Sequence, residues 1–309
     1  MFNIKWRYKF FLIFLVNLMI LFQTIGQQYF LPPSNQFRKD RLDRVVITET
    51  AIFALTSIGL YYLWYKKFPK NKFHLFNDGR EWLQIDKVGH AATAYNISSM
   101  QHDLLRWCGV PKNDAILSAS ITSIAYMSII EVLDGFSRDW GFSPYDMLAN
   151  ISGTALFAAQ QYYWNEQKIN MKISASFSPY AKENKALLGK NWASRLMKDY
   201  NGQTYWLSFN LRSFLPVNSS VPEWANISFG YGASGMIHAD NKSGNLLSPQ
   251  KSNTRYRRFF IAPDADLFRI KTPSSLINGS LFLTKYIKAP APAIEFNSKR
   301  NFKLHLIYF

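Results

Sequence analysis

The stretch Tyr205-Trp206-Leu207-Ser208-Phe209-Asn210-Leu211-Arg212 sets Tyr205, Leu207, Phe209 and Leu211 at every second position, with Ser208, Asn210 and Arg212 between them. A period of two sends successive side chains to opposite faces of a strand, whereas a helix aligns residues three and four apart. The alternation returns where Ala225, Ile227, Phe229 and Tyr231 interleave with Asn226, Ser228, Gly230 and Gly232. It returns again where Phe302, Leu304, Leu306 and Tyr308 interleave with Lys303 and His305. Asn201-Gly202 supplies turn chemistry before the first of these strands. Residues 169–309 therefore read as a strand-rich region, a mainly antiparallel sheet or partial barrel, with 273–287 open between helix and strand.

Upstream the period is near four. Asp78 reads as a helix N-cap with Glu81 three residues on, and Gly109 and Pro111 supply the stop. Asp114 to Leu133 is apolar nearly all round, which places it at the centre of a bundle or in lipid. A third helix starts at Ser143, with Pro144 at the favoured first position and Asp146 completing a capping pattern, and runs through Trp164. Val45 to Tyr65 supplies either a further bundle helix or a membrane segment, its end marked by Tyr61, Tyr62, Trp64 and Tyr65 ahead of Lys66-Lys67. The fold class expected is α+β: a bundle of three or four helices over 44–168, then the strand-rich half.

At the start of the chain, Lys5, Arg7 and Lys9 precede an uncharged run from Phe10 to Phe22, and Thr24-Ile25-Gly26 provides small residues. This is the layout of a signal peptide over 1–26, since the run falls short of the roughly 20 residues needed to span a bilayer. The formal net charge of +16 is scattered and accompanies no nucleic-acid motif, so nucleic acid is not expected as a partner. Anionic lipid headgroups account for the charge, and membrane lipid is the expected partner. The single cysteine, Cys108, excludes an intrachain disulfide and a thiolate metal cage, and reads as a helix-end packing residue.

The candidate site lies in the helical half. Asp86, His90 and Thr93 share a helix face, so the carboxylate can orient the imidazole; Asp146, Asn150 and Gly153 share another, and the glycine permits close approach of a neighbouring helix. Glu131 and Asn150 sit in apolar surroundings, where an unpaired polar group costs a few kcal/mol. Such a centre can run general acid–base chemistry with Glu131 and His90. It can also hold a hard cation through Glu131, Asp134 and Asp146, while one imidazole argues against zinc. The bland readings are a surface ion-pair face for Asp86, Lys87 and His90, a capping role for Asp146, and polar groups that only fix helix pairing. Asp264 and Asp266, two apart on a candidate strand, read as a solvated face in preference to a cation site.

The string Asp86 to His90, Glu131, Asp134-Gly135-Phe136-Ser137, Trp140-Gly141, Asp146 and Ala149-Asn150 with Gly153 resembles a bacterial family of predicted periplasmic lipoproteins, over about 74–168. The second half, with Lys198 to Trp206 and Gly230-Tyr231-Gly232, resembles long members of that family. The Asp-Lys-x-x-His stretch, the later Glu and Asp-x-x-x-Asn-x-x-Gly are similar, more distantly, to VanZ-like membrane proteins. The resemblance implies an exported envelope location and assigns no reaction or cofactor. The chain departs from the lipoprotein label because no cysteine follows its first apolar run. The function expected is that of a membrane-associated envelope protein, on the periplasmic side of the inner or outer membrane, whose buried polar cluster is structural or binds a ligand. The alternative is an enzyme on an envelope lipid or glycan, with Glu131 and His90 as acid–base pair and Asp86, Asp134, Asp146 and Asn150 binding.

Overall fold

The computed structural model describes residues 30–62, 66, 69–240, 255–270 and 272–309, so the expected signal peptide lies outside the described residues. Among the described residues four long helices come first: α1 Lys39–Leu60, α2 Ile85–Trp107, α3 Lys112–Asp134 and α4 Pro144–Trp164. Then follow β1 Ile169–Ala175, the short α5 Lys185–Leu188 and α6 Trp192–Lys198, β2 Gln203–Asn210, β3 Ala225–Ser234, β4 Tyr256–Ala265, α7 Ser275–Leu283, β5 Ala291–Asn297 and β6 Phe302–Tyr308. The six strands pair in chain order, each antiparallel to the next, and the fold is α+β. The open segment 273–287 contains helix α7.

Helix boundaries follow local chemistry with one exception. Ser143 caps α4 by accepting the Asp146 backbone N–H at 3.0 Å, with Pro144 at the first position. Gly109, at φ +82°, ends the turn after α2, and buried Cys108 packs there with Leu31, Val45 and Trp107. The exception is the start of α2. Asp78 is not its N-cap: Trp82, Leu83 and Gln84 take left-handed φ of 46°, 52° and 62°, and the helix begins only at Ile85. Three such non-glycine residues in a row are strained, and tertiary contacts hold them. Trp82 N–H donates to Ala239 O at 2.7 Å, Tyr231 OH donates to Leu83 O, and Arg257 donates to Gln84 Oε1 at 2.6 Å.

The central helix is α2, not α3. Helix α2 buries Ile85, Gly89, Ala92, Ala94 and Tyr95 among others, whereas α3 buries a stripe from Ala115 to Glu131 and exposes Leu117, Ile121, Ile129, Val132 and Leu133. Small residues on α2 admit close neighbours, and α4 uses this: a Cβ built on Gly153 would stand 1.9 Å from the Ala91 carbonyl oxygen. The main core continues from Ile85, Tyr95 and Phe157 of the helices to Met171, Tyr205 and Ala233 of the sheet.

Alternation defines two faces: one encloses polar and charged groups beside Trp206, Phe260, Ala262 and Ala293, and the other packs on the helices at Met171 and Tyr205. Lys172 on β1 is 0% exposed and its ammonium lies 2.8 Å from both Asp264 and Asp266. Ser208 donates to Asp264 at 2.6 Å, and Asn170 to Asp266 at 3.2 Å. Asp264 and Asp266 therefore form a buried ion network and not a solvated face. The sheet coils enough that Thr204 of β2 and Tyr308 of β6 hydrogen-bond at 2.9 Å. Gly230 makes room for the Trp206 indole, which a Cβ there would meet at 2.7 Å. The opposite face carries exposed Leu207, Phe229, Phe259, Ile261, Phe296, Phe302, Leu304 and Leu306.

Candidate functional site

Helices α2, α3 and α4 converge at the N-terminal ends of α2 and α4 and the C-terminal end of α3. Asp86, Lys87 and His90 come from the first turns of α2, Glu131 from the last turn of α3, and Asp146 and Asn150 from α4. Lys87 is the cationic hub. Its ammonium contacts Asp78, lies 2.9 Å from Asp86 and lies 2.8 Å from Asp146. The three carboxylates are buried and the Lys87 side chain is 12% exposed, so the ion-pair face is internal.

Glu131 closes the other side. Its Oε2 accepts the Ser143 backbone N–H at 3.3 Å, the position a capping-box side chain would take. The Asp146 carboxylate is thereby released from capping and turns to Lys87. Ser143 Oγ, while capping α4, also donates to Asp78 at 2.5 Å, so one serine ties the helix start to the cluster. Glu131 Oε1 stands 3.5 Å from His90 Nδ1 and makes no hydrogen bond. The ring is oriented by Asn150, whose Oδ1 lies 3.2 Å from His90 Nδ1, and not by Asp86, whose carboxylate serves Lys87. Thr93 donates to Gly89 of its own helix.

Five of the six residues singled out in the sequence, Asp86, His90, Glu131, Asp146 and Asn150, thus meet in the interior. Asp134 stays at the rim, where it accepts the Trp140 indole N–H at 2.7 Å. Asp78, Lys87 and Glu81 escaped the sequence reading, because Asp78 and Glu81 resemble a helix cap and Lys87 a surface partner. A cavity of about 170 Å³ adjoins the cluster, lined by Glu81, Trp82, His90, Asp134, Trp140 and Asp146 and roofed by Leu187, Lys198 and Tyr200 from the segment between β1 and β2. Trp82 packs on Tyr200 with ring centroids 5.3 Å apart.

Charge is unevenly compensated. Burial, reinforced by Asp146 and Asp134, raises Glu131 to about 9. Burial raises Asp146 to about 8, with Lys87 pulling the other way. Burial and the nearby Asp78 and Asp86 raise Glu81 to about 7. For Asp78 burial also acts upward, but hydrogen bonds from Asp146, Lys87 and Ser143 outweigh it and hold the group low. Asp78 is thus the ionised member of a carboxyl pair that shares a proton with Asp146. Burial and the Lys87 charge lower His90 to about 4, so its imidazole is neutral at pH 7.

Two sets of ligand-type atoms lie within 4.8 Å of one another: His90, Glu131 and Asp146, and Asp78, Asp86 and Asp146. The second set already surrounds the Lys87 ammonium.

Residues 75–162 match the profile of a family described as predicted periplasmic lipoprotein (DUF2279). The matched segment is the one that carries the cluster, from the approach to Asp78 through α4. The description supports an exported, cell-envelope location. No curated protein and no solved structure matches the chain.

Proposed function

With residues 75–162 assigned to the predicted periplasmic lipoprotein family, we propose that this is a membrane-associated envelope protein that holds a ligand pocket between α2, α3 and α4. The observation that carries the membrane part is the sheet, whose outward face is apolar and exposed where the helices do not cover it and whose enclosed face holds ion pairs. In water a sheet faces its apolar side inward, and burying ion pairs costs desolvation that well-packed apolar side chains avoid. An outward apolar face over a polar, ion-paired interior is the arrangement of strands that meet lipid. The exposed faces of α1 (Ile47, Leu55, Ile58) and α3 (Leu117, Ile121) add further apolar side chains to the exterior, as surfaces that meet a membrane do. The +16 formal charge favours an anionic headgroup layer at its border.

Separation of inner and outer membranes, with the mass of the mature N-terminus, tests this reading. Recovery in a membrane fraction that resists high salt and alkaline extraction is the expected result. A chain released into the soluble fraction by salt alone overturns it.

A second reading, acid–base chemistry on an envelope lipid or glycan, draws support from Glu131 and His90. A protonated acid stands 3.5 Å from a neutral imidazole beside a cavity. Glu131→Gln and His90→Ala chains that fold and restore the wild-type phenotype in a deletion strain would remove it.

A further inference from the structure

We propose that His90, Glu131 and Asp146 bind one divalent transition-metal cation. Each residue sits on a different helix, so the site is held by packed elements and not by a mobile loop, and one ligand atom from each lies within 4.8 Å of the others.

The carrying observation is Glu131 Oε1. The residue is 1% exposed, its other oxygen is pinned by Ser143 N–H, and Oε1 points at His90 Nδ1 with no hydrogen-bond donor of its own. A buried polar oxygen left without a hydrogen-bond partner is costly, and a bound cation, which displaces the acid's proton, supplies the missing partner. The cluster's ammonium does not fill that role, since Lys87 pairs with Asp78, Asp86 and Asp146. The two halves of the cluster are thereby distinct: a lysine completes one and a metal completes the other, with Asp146 bridging.

The donor set narrows the ion. One imidazole nitrogen with two carboxylate oxygens suits Mn²⁺, Fe²⁺ or Co²⁺, whereas Ca²⁺ takes six to eight oxygens and Mg²⁺ keeps oxygen and water. Asn150 is a positioning residue: its amide holds the imidazole, as an outer partner orients a metal-bound histidine. Three protein ligands leave coordination positions open toward the adjoining cavity, where water or a ligand can enter.

The assignment rests on the pocket's own geometry and does not depend on lipid contact, so the detergent-solubilised full-length chain tests it alone. Calorimetric titration with Mn²⁺, and separately Co²⁺, is expected to give one site per chain. Glu131→Gln and His90→Gln are each expected to weaken it at least tenfold, while Asp43→Asn on the exposed face of α1 leaves it unchanged. Electron spin-echo measurements on the Mn²⁺ form supply an independent readout: modulation from one imidazole nitrogen, lost in His90→Gln. Absence of stoichiometric binding, or binding that neither variant weakens, overturns the proposal. Tighter binding of Ca²⁺ than of Mn²⁺ overturns it also, since His90 would then be no ligand. Should Glu131→Gln not fold, His90→Gln, with its partly exposed side chain, decides through both titration and spin echo.

Discussion

Glu131 concentrates the site's energetics in one side chain. In the native state Glu131 and Asp146 hold protons up to about 9 and 8, far above the ordinary carboxylate range of roughly 4. Native chains therefore bind more protons than unfolded chains above the ordinary carboxylate pKa, and their stability falls as pH rises toward about 9. His90, lowered to about 4, contributes the opposite slope below its ordinary value of about 6.5, so the carboxylates act without it above about pH 7. Thermal melts of the metal-free protein are expected to drop from pH 7 to 9, and Glu131→Gln to flatten that drop. A wild-type melting temperature that rises over this window would contradict the native protonation of both acids. Gly153 sets a second single-residue limit. Alanine there meets the Ala91 carbonyl, which is backbone and cannot rotate away. Gly153→Ala is expected to force α2 and α4 apart and to lower stability by about 1–3 kcal/mol, read from denaturant unfolding in detergent.

Within elements, the sheet illustrates how a period of two can be read correctly and still leave its orientation open. Lys172 neutralises Asp264 and Asp266 at 2.8 Å each, while Lys288 and Arg269 lie farther out at 3.6 and 3.3 Å. Lys172→Met leaves two buried carboxylates short of their nearest cation, and a loss of about 3–5 kcal/mol is expected. Lys172→Met combined with Asp264→Asn and Asp266→Asn should recover much of it, because the uncompensated charge has gone. A triple variant as unstable as the single one would mean that packing of the lysine stem, and not charge, holds the interior. Helix α3 makes a related point. Its apolar composition fits the middle of a bundle, yet the small residues Gly89, Ala92 and Ala94 win that place for α2, because they let α3, α4 and Tyr205 approach closely.

At the scale of the molecule, exposed apolar side chains recur on α1, α3 and the outward face of the sheet. Leu304 is 60% and Leu306 80% exposed on edge strand β6. A charge placed there costs little in water, but about 2–4 kcal/mol if the position lies deep in a bilayer. Leu304→Asp and Leu306→Asp are therefore expected to leave circular dichroism in detergent unchanged and to reduce co-flotation with vesicles of mixed zwitterionic and anionic lipid. Undiminished flotation of both variants would place the lipid contact elsewhere than the sheet.

The amino-acid sequence by itself determined the succession of a helical half and a strand-rich half, with strands β2, β3 and β6, because periods of near four and of two, with Ser143-Pro144 and Gly109 as punctuation, are local properties. It also pointed to His90, Glu131, Asp146 and Asn150, since polar groups in apolar helices need partners wherever they fall. Only the tertiary structure decided that Asp78 and Lys87 join them, that Glu131 takes the capping position and frees Asp146, and that the polar face of the sheet turns inward. Those outcomes depend on which surfaces meet in space, at chain separations from 9 residues for Asp78 and Lys87 to 92 for Lys172 and Asp264, and no residue's own neighbourhood encodes that.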